Sequence, residues 1–403
     1  MDVFICSSNL AAPAAAAPHL EEPVVTHVAP TVLVLWVGHR GGPWTIESLE
    51  RSGYRVVAAH PDEEGGAPLR REVLRYPSPT ADPEGFLRVV AEWCRTRAID
   101  AVLPIDEDIV RLLAERRPDL SGAAVAGPTA AQYEALCDKA RLAETADAVG
   151  VDHPVTVEVG FDGPAGDLPP APCIVKPRIS GSHGAQERPM LARTAQERDD
   201  AVRTFLAAGV PALLQEQLEG PRWVGHCVRS ADQFDFLGFR VERDYPRDAG
   251  PASIMHTSAV PPEVVAGTRR LLDHVGYLGP CSLSFIQVGD RFFVHDVNLR
   301  LGATVAASIR SGFDIPRRSV DAVLGRPSAA LPPLRRVRYV RFDGELKELL
   351  RGLRRRPGAD DPVWLARAIL SGVVSRRTVL DPPPFSPSWA ARSLQRRAGR
   401  LRR

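Results

Sequence analysis

Lysine is scarce in this chain, so the few positions that retain it are the first candidates for chemistry. Only three of the 51 basic residues are lysines, at Lys139, Lys176 and Lys347. A compact ammonium group fits between phosphate oxygens, whereas a planar guanidinium suits a flat, two-point partner. The alternative is that arginine-rich codon usage has left three lysines by chance. The residues that follow Lys176 favour phosphate binding at that position.

A loop of small polar residues follows Lys176. The apolar run at 173–175 predicts a strand that delivers this lysine, and Pro177 interrupts the strand. Glycines in the loop allow a ligand to approach the backbone, and serines and backbone N–H groups can donate to phosphate oxygens. His183 could act as an acid or base, although a single loop histidine is more often a surface residue. The loop residues predicted to bind phosphate are Ser180, Gly181, Ser182 and Gly184.

A second group of polar residues lies near the end of a predicted hairpin. Its strands cover residues 281–288 and 291–297, and Gly289-Asp290 supplies the turn. Because side chains alternate along a strand, Asp296, Asn298 and Arg300 share one face. Carboxylate and amide oxygens suit Mg²⁺, and a guanidinium can neutralise a phosphoryl group or a carboxylate. The alternative is a solvated polar face on an edge strand.

The preceding elements predict how these residues are positioned. Over residues 31–128, apolar strands alternate with helices, which predicts a parallel α/β sheet covered on both faces. Residues 129–149 are predicted to form one helix that carries Lys139 near its middle. Residues 212–218 are predicted to form a strand that ends in Gln215-Glu-Gln-Leu218. The glycines at 38–42 do not have the spacing of a dinucleotide-binding motif.

Composition excludes some classes of function. The chain has 403 residues, 44% of them hydrophobic and 25% charged, with a net charge of +2. These values are typical of a soluble globular protein, and they give no reason to expect nucleic acid as a partner. No apolar run is long enough to span a membrane. Scattered cysteines, and the lack of a basic segment before an apolar core at the N-terminus, predict a cytoplasmic protein without a signal peptide.

Four segments together resemble the ATP-grasp superfamily of carboxylate–amine ligases. The resemblance covers about residues 31–328, and each segment alone is a weak signal, whereas all four in this order are a strong one. They are Asp138-Lys139, Ile174-Val-Lys-Pro177, Leu214-Gln-Glu-Gln-Leu-Glu-Gly220 and Asp296-Val-Asn-Leu-Arg300. The resemblance implies five regions: a disordered extension at 1–30, a parallel α/β domain at 31–128, a first ATP-grasp lobe at 129–213, a second lobe at 214–328 and a small Arg-rich helical region at 329–403.

The resemblance also implies a role for each candidate residue. Lys139 and Lys176 would bind the phosphates of ATP under a lid at 180–185, and Ile286 would form part of the adenine floor. Arg300 would lie near the γ-phosphate and an acyl phosphate. The residues implied to hold adenine at the hinge between the lobes are Gln215, Glu216, Gln217 and Leu218. The residues implied to bind Mg²⁺ or Mn²⁺ are Asp296 and Asn298.

The implied function is ATP-dependent formation of an amide bond from a small-molecule carboxylate and an amine. The resemblance also implies a possible homodimer, since dimers are common among such proteins. Two positions depart from the family pattern. Ser284 stands where an acidic metal ligand is usual, and Arg222 stands where a glutamate often contacts the ribose. These departures leave open a catalytically weakened ATP-binding regulatory module. A separate alternative is a carboxylase-type enzyme of the same superfamily.

Overall fold

The computed structural model describes residues 29–38, 40–62, 72–179, 189–244, 250–327, 329–346 and 377–381. Within these residues the chain forms three β-sheets, two with five strands and one with seven. None of the helices in this part of the chain is long and apolar enough to cross a membrane. The loop predicted to bind phosphate, which contains Ser180, Gly181, Ser182 and Gly184, lies outside the described residues.

The N-terminal part of the chain forms a parallel sheet flanked by helices, which confirms the predicted α/β class. The strand order is β3-β2-β1-β4-β5, and all pairs are parallel. The continuous apolar run of β1 is fully buried because both faces of the sheet are covered. The elements are β1 (Thr31–Leu35), α1 (Gly42–Arg51), β2 (Arg55–Pro61), β3 (Leu74–Tyr76), α2 (Pro83–Thr96), β4 (Ala101–Pro104), α3 (Glu107–Glu115) and β5 (Ala124–Val125).

Two helices and an antiparallel sheet follow. The strand order is β7-β6-β10-β8-β9, and α6 covers one face around Val175, Phe205 and Leu214. Alternate residues of β8 face this core, so the side chains of Ile174 and Lys176 lie on the opposite face of the sheet. The elements are α4 (Ala130–Cys137), α5 (Lys139–Ala148), β6 (Thr156–Gly160), β7 (Gly163–Pro164), β8 (Cys173–Pro177), β9 (Met190–Ala192), α6 (Ala195–Ala207) and β10 (Ala212–Glu216).

The largest sheet has the order β15-β14-β11-β12-β13-β16-β17. Its pairs are antiparallel except β16–β17, and the predicted Gly289-Asp290 hairpin joins β14 to β15. The elements are β11 (Arg222–Arg229), β12 (Phe234–Asp244), β13 (Ala252–Thr257), α7 (Pro262–His274), β14 (Gly279–Val288), β15 (Arg291–Asn298), α8 (Val305–Ser311), α9 (Ile315–Val323), β16 (Arg338–Arg341) and β17 (Thr378–Asp381).

One core joins the N-terminal sheet to the large sheet. Val34 of β1 and Phe239 of β12 belong to the same buried cluster, together with Phe313 and Tyr339. Polar contacts reinforce this junction, since Ser48 of α1 donates to Asp314 at the start of α9. The strands β16 and β17 extend the same sheet, although the sequence indicated a helical region there. Residues 347–376 and 382–403, where most of that helical prediction falls, lie outside the described part of the chain.

Two predicted element boundaries are wrong. The single helix predicted over residues 129–149 is two helices, because the backbone of Asp138 is extended (φ −76°, ψ 116°). Asp138 caps α5 by accepting from the backbone N–H groups of Ala140 and Arg141, so Lys139 begins a helix rather than lying in the middle of one. The strand predicted at 212–218 ends at Glu216, and the next residues form the connection to the large sheet.

Candidate active site

A cleft of about 530 Å³ separates the small antiparallel sheet from the large sheet. Its walls come from β8 and β10 on one side and from β11, β14 and β15 on the other. The connection between the two sheets forms one end. The predicted site residues that line the cleft are Lys139, Lys176, Gln215, Glu216, Gln217, Leu218, Ile286, Asp296, Asn298 and Arg300. The fold therefore gathers candidates from five separate stretches of sequence.

Lys176 is buried in one wall of the cleft with its ammonium group held in place. Its Nζ donates to Gln215 Oε1 at 2.7 Å and to the backbone oxygen of His295 at 3.3 Å. Only 4% of Lys176 is exposed. Burial first, and then the positive charges of Lys139 and Arg222, lower the pKa of Lys176 to about 7. Both of these acceptors are neutral oxygens, so a bound anion would add a counter-charge to the buried ammonium group.

Arg178 connects Lys139 to the strand that carries Lys176. Its Nε donates to Asp138 at 2.6 Å and its Nη1 donates to Glu158 at 2.8 Å. The backbone oxygen of Arg178 also accepts from the backbone N–H of Lys139 at 3.1 Å. The end of β8 is therefore tied to the junction between α4 and α5. This junction positions the Lys139 side chain, which is only 7% exposed, at the cleft.

The opposite wall carries the predicted metal ligands. Lys139 Nζ lies 3.5 Å from Asp296 Oδ1, and Asn298 Nδ2 donates to Asp296 Oδ2 at 2.8 Å. Burial alone would raise the pKa of Asp296, but the nearby positive charge of Lys139, together with Lys176 and His295, lowers it to about 2. Asp296 is therefore an anion at neutral pH, and its oxygens face the same space as the two lysines.

The donor set fits one hard metal ion but does not supply ligands for two. Ser284 lies directly opposite Asp296 on β14, where a second carboxylate would be needed, and Ser282 lies opposite Asn298. Within the described ranges, no three His, Cys, Asp or Glu side chains come together in a way that could hold a metal. Mg²⁺ is commonly bound by one or two carboxylates completed by nucleotide phosphates and water. Asp296 and Asn298 meet that requirement for one ion.

Arg300 is held by a residue of the N-terminal domain that sequence reasoning missed. Arg300 Nε donates to Glu107 Oε2 at 2.7 Å, and Tyr133 donates to Glu107 Oε1 at 2.9 Å. Burial tends to lower the pKa of Arg300, but Glu107 and Asp106 raise it, so the guanidinium stays charged. Glu107 begins α3, directly after a buried strand of a parallel sheet, where functional side chains often lie. The position of Glu107 after a buried strand is the feature of the sequence that could have identified it as a site residue.

The connection between the sheets is closely packed. A side-chain oxygen of Glu216 accepts a hydrogen bond from the backbone N–H of Val155. The backbone N–H of Glu216 donates in turn to the backbone oxygen of Val155. A Cβ atom on Gly220 would lie 1.8 Å from the backbone oxygen of Gln287, so only glycine fits there. Residues 216–218 are thus held at the edge of the cleft, next to Ile286 on β14.

His295 is a second residue that the sequence did not identify as part of the site. In the pairing of β14 with β15, Ser284 lies opposite Asp296 and Phe285 lies opposite Val294, so His295 is an extra residue at a β-bulge. Such bulges redirect side chains, and His295 lines the cleft together with Asp296. Burial, followed by the charges of Lys176 and Arg222, lowers the pKa of His295 to about 3, so its ring is neutral.

No family model and no curated protein sequence matches the chain. Solved structures share its fold. An L-amino acid ligase from Bacillus licheniformis is 16% identical, with a TM-score of 0.62 over 78% of this chain and 80% of the ligase. An N5-carboxyaminoimidazole synthetase from Staphylococcus aureus, complexed with ADP, is 16% identical, with a TM-score of 0.61 over 80% of this chain and 86% of the synthetase. A biotin carboxylase–βγ-ATP complex from Campylobacter jejuni is 12% identical, with a TM-score of 0.59 over 76% of this chain and 74% of the carboxylase.

Each of these likenesses covers between 76% and 80% of this chain. The predicted order of a parallel α/β domain followed by a two-lobed unit therefore agrees with the architecture of these proteins. The chain has the ATP-grasp fold.

Proposed function

We propose that this protein is an ATP-dependent ligase that joins a carboxylic acid to an amine. One observation carries the proposal. A single cleft brings together two buried lysines, a carboxylate–amide pair and an arginine, which are the groups needed to bring two anions into contact. The buried lysines are Lys139 and Lys176, the oxygen donors belong to Asp296 and Asn298, and the arginine is Arg300.

The first step is phosphoryl transfer. A carboxylate oxygen of the acid attacks the γ-phosphorus of ATP, the bond from that phosphorus to the bridging oxygen breaks, and ADP leaves. Lys139 and Lys176 bind phosphate oxygens and reduce the repulsion between the reacting anions. Arg300, held by Glu107, faces the transferred group. When bound by Asp296 and Asn298, Mg²⁺ or Mn²⁺ would supply further charge neutralisation at the phosphates.

The second step forms the amide. The amine nitrogen attacks the acyl carbon of the acyl phosphate, phosphate leaves with the electron pair of the broken C–O bond, and the nitrogen loses a proton. The step requires orientation and exclusion of water rather than a nucleophilic side chain, since acyl phosphates hydrolyse readily. Lys139, Lys176 and Arg300 would keep the leaving phosphate bound in the buried cleft until the amine has reacted.

The similar solved structures support the nucleotide part of the proposal. One is complexed with ADP and another is a βγ-ATP complex, and a third is named as an L-amino acid ligase. In this chain the hinge residues Glu216, Gln217 and Leu218 would contact adenine with backbone groups, and Ile286 would pack below the base. Lys139 and Lys176, which line the same cleft as Asp296, would bind the phosphates of that nucleotide.

The test is release of ADP and phosphate with Mg²⁺ or Mn²⁺ across pools of amino acids, small carboxylates and amines. We expect turnover that requires both an acid and an amine. Lys176→Ala and Asp296→Ala should each lower it by about 100-fold or more, because each removes charge stabilisation of the phosphoryl transfer. Asp290→Ala is the matched control, since Asp290 is exposed in the turn of the same hairpin as Asp296. Equal loss in the Asp290→Ala protein would contradict the assignment.

A second candidate is an ATP-binding regulatory module. Ser284 opposite Asp296 favours it, because a hydroxyl group binds Mg²⁺ less well than a carboxylate and leaves the site with one acidic ligand. This candidate predicts binding of nucleotide without turnover in any substrate pool. A carboxylase-type reaction is distinguished in the same assay, since ADP release would then require bicarbonate in place of a carboxylic acid.

A further inference from the structure

A hydrogen-bonded chain of three side chains ends at the wall of the cleft. His226 of β11 is fully buried, and its Nδ1 lies 2.6 Å from Ser308 Oγ. Its Nε2 lies 3.1 Å from Thr304 Oγ1. Ser308 is buried within α8, whereas Thr304 lines the cleft. The chain therefore connects the interior of the molecule with a hydroxyl group at the surface of the candidate active site.

Thr304 stands at the N-cap of α8 but does not cap that helix. Threonine at this position usually accepts a hydrogen bond from a backbone N–H of the first turn. Here the side chain makes no such bond, and its hydroxyl group contacts His226 instead. A Cβ atom on Gly302 would lie 3.0 Å from His226 Nε2 and 3.2 Å from Ser282 Oγ, so the loop that leads to Thr304 lies directly over the imidazole. The orientation of the Thr304 side chain is thus determined by His226 rather than by the helix.

The contacts of Ser308 determine which ring nitrogen of His226 carries the hydrogen. Burial lowers the pKa of His226 to about 4, so the ring is neutral at neutral pH and has one N–H group. Among the described residues, Ser308 Oγ has His226 Nδ1 as its single polar contact. A buried hydroxyl hydrogen without an acceptor is costly, so Ser308 donates to Nδ1. The hydrogen of the ring is then on Nε2, which donates to Thr304.

This assignment makes Thr304 a hydrogen-bond donor at the cleft. Its oxygen accepts from His226, so its own hydrogen is available for another partner. No acceptor for that hydrogen occurs among the residues that the structure describes. A ligand group that meets this hydroxyl must therefore be an acceptor, such as a carboxylate or phosphate oxygen.

The register of the large sheet shows that His226 lies beyond the row that carries Asp296. Ser284, two residues from Ile286 along β14, pairs with Asp296. Ser282, two residues farther, pairs with His226. The Asp296 row is therefore about 7 Å from Ile286 along the strand, and the His226 row is about 13 Å away. With adenine on Ile286 and phosphates at Asp296, the next group in line is the acid that receives the γ-phosphoryl group.

We propose that Thr304, oriented by His226, donates a hydrogen bond to a carboxylate oxygen of the acid substrate and so determines how tightly that substrate binds. The inference rests on the proposed ligase function. Thr304 is the binding residue, and His226 is a positioning residue that acts through it. Ser308 fixes the tautomer of His226 on which the arrangement depends.

A purely structural role for the three side chains makes a different prediction. In that case they only fasten α8 to β11. Breaking the chain would then lower stability and would not weaken the binding of the acid selectively. The two roles are separated by comparing the KM of the acid with the KM values of MgATP and of the amine in the same protein.

The experiment is steady-state release of phosphate by the full-length protein, with MgATP and with the single acid and amine that give the fastest turnover in the substrate pools. Thr304→Val removes the hydroxyl group and should raise the KM of the acid about tenfold or more, since a hydrogen bond to a charged group is lost. The KM values of MgATP and of the amine should change by less than about twofold, and Thr304→Ser should restore the KM of the acid to within about threefold. Thr204→Val is the matched control, because Thr204 is exposed on α6 and donates to the backbone of its own helix.

Variants of His226 test the positioning role. His226→Leu should raise the KM of the acid as Thr304→Val does. The double variant should be no worse than Thr304→Val alone, because His226 acts through Thr304. His226→Gln should retain most of the affinity, since an amide nitrogen can donate in place of Nε2. Nitrogen-15 NMR of histidine-labelled protein at neutral pH should show the hydrogen on Nε2 of His226, and the spectrum of His226→Gln identifies the signals.

Three results would overturn the inference alone. They are an unchanged KM of the acid in Thr304→Val, an equal rise in the KM of MgATP, and a hydrogen on Nδ1 of His226. A wild-type protein without turnover in any pool would overturn the proposed function and the inference with it. Thermal unfolding shows whether each variant is folded. If His226→Leu does not fold, the comparison of Thr304→Val with Thr304→Ser and the NMR spectrum decide between the outcomes.

Discussion

At the scale of single residues, burial determines the chemistry of Lys176. The ammonium group of Lys176 is hydrogen-bonded to two neutral oxygens, while Lys139 Nζ lies 3.5 Å from Asp296 Oδ1. Removing an ammonium group from water favours its neutral form, and neighbouring positive charges add to that effect. The pKa of Lys176 therefore falls to about 7. An arriving phosphate would supply the counter-charge that this environment lacks.

This environment predicts a pH dependence of nucleotide binding. As the pH rises through about 7, Lys176 in the free protein loses its proton, so the affinity for ADP should fall by up to about tenfold per pH unit. Lys176→Arg should give a flatter profile, because a guanidinium stays protonated. Titration calorimetry from pH 6 to about pH 9 compares the two proteins, and ionisation of ADP itself cancels in that comparison. Parallel profiles would contradict the expected role of Lys176.

The same shift affects stability in the opposite direction. Because the pKa of Lys176 is lower in the folded chain than its ordinary value of 10.5, the unfolded chain binds more protons between about pH 7 and pH 10. The contribution of Lys176 to the free energy of unfolding therefore rises with pH across that window. Nucleotide binding and stability of the ligand-free protein should thus respond to pH with opposite sign.

At the scale of elements, the break between α4 and α5 is the feature that positions Lys139. Asp138 closes one helix, caps the next and accepts from Arg178 at 2.6 Å. A continuous helix would have left Lys139 on a different face and removed this contact. The break is therefore part of the site, since it links the end of β8 to the start of α5.

Asp138→Ala should lower the free energy of unfolding by about 2–4 kcal/mol, the sum of a lost helix cap and a lost hydrogen bond to a charged group. It should also weaken ADP binding, because Lys139 would no longer be held at the cleft. Urea denaturation and calorimetry measure the two effects. Asp82→Ala is the matched control, since Asp82 caps α2 away from the cleft. That protein should lose about 1 kcal/mol and bind ADP normally, and a similar loss of binding would contradict the argument.

At the scale of the whole molecule, the N-terminal domain and the large sheet form one folding unit. Val32, Val34 and Leu103 of the parallel sheet share a buried cluster with Phe239 and Phe313. The contact from Glu107 to Arg300 crosses the same junction. The small antiparallel sheet has a separate core around Val175 and Phe205.

A chain that begins at residue 129 should not fold cooperatively. Removal of the N-terminal domain would expose Phe239, Phe313 and their neighbours, and the apolar area lost from the core could not be replaced. Near-ultraviolet circular dichroism and thermal unfolding would show this directly. A chain that begins at residue 29 is the control and should unfold with a sharp transition. A sharp transition in the shorter chain would mean that the shared core is not required.

The sequence by itself determined much of the local pattern. Apolar runs and helical periodicity predicted the parallel sheet, since burial on both faces leaves a continuous apolar strand such as β1. Lysine scarcity identified Lys139 and Lys176, and alternation along β15 placed Asp296 and Asn298 on one face. These features depend on near neighbours in the chain, which is why they can be read from it.

Only the tertiary structure decided which distant residues meet. Glu107 reaches Arg300 across 193 residues, and Asp244 reaches Arg222 from another strand. His295 enters the cleft because of a bulge, which shifts the alternation that sequence reasoning assumes. The cap at Asp138 was missed because helical periodicity continues through it, while its side chain is recruited by Arg178. Each of these contacts depends on the packing of whole elements, and no short stretch of sequence specifies that packing.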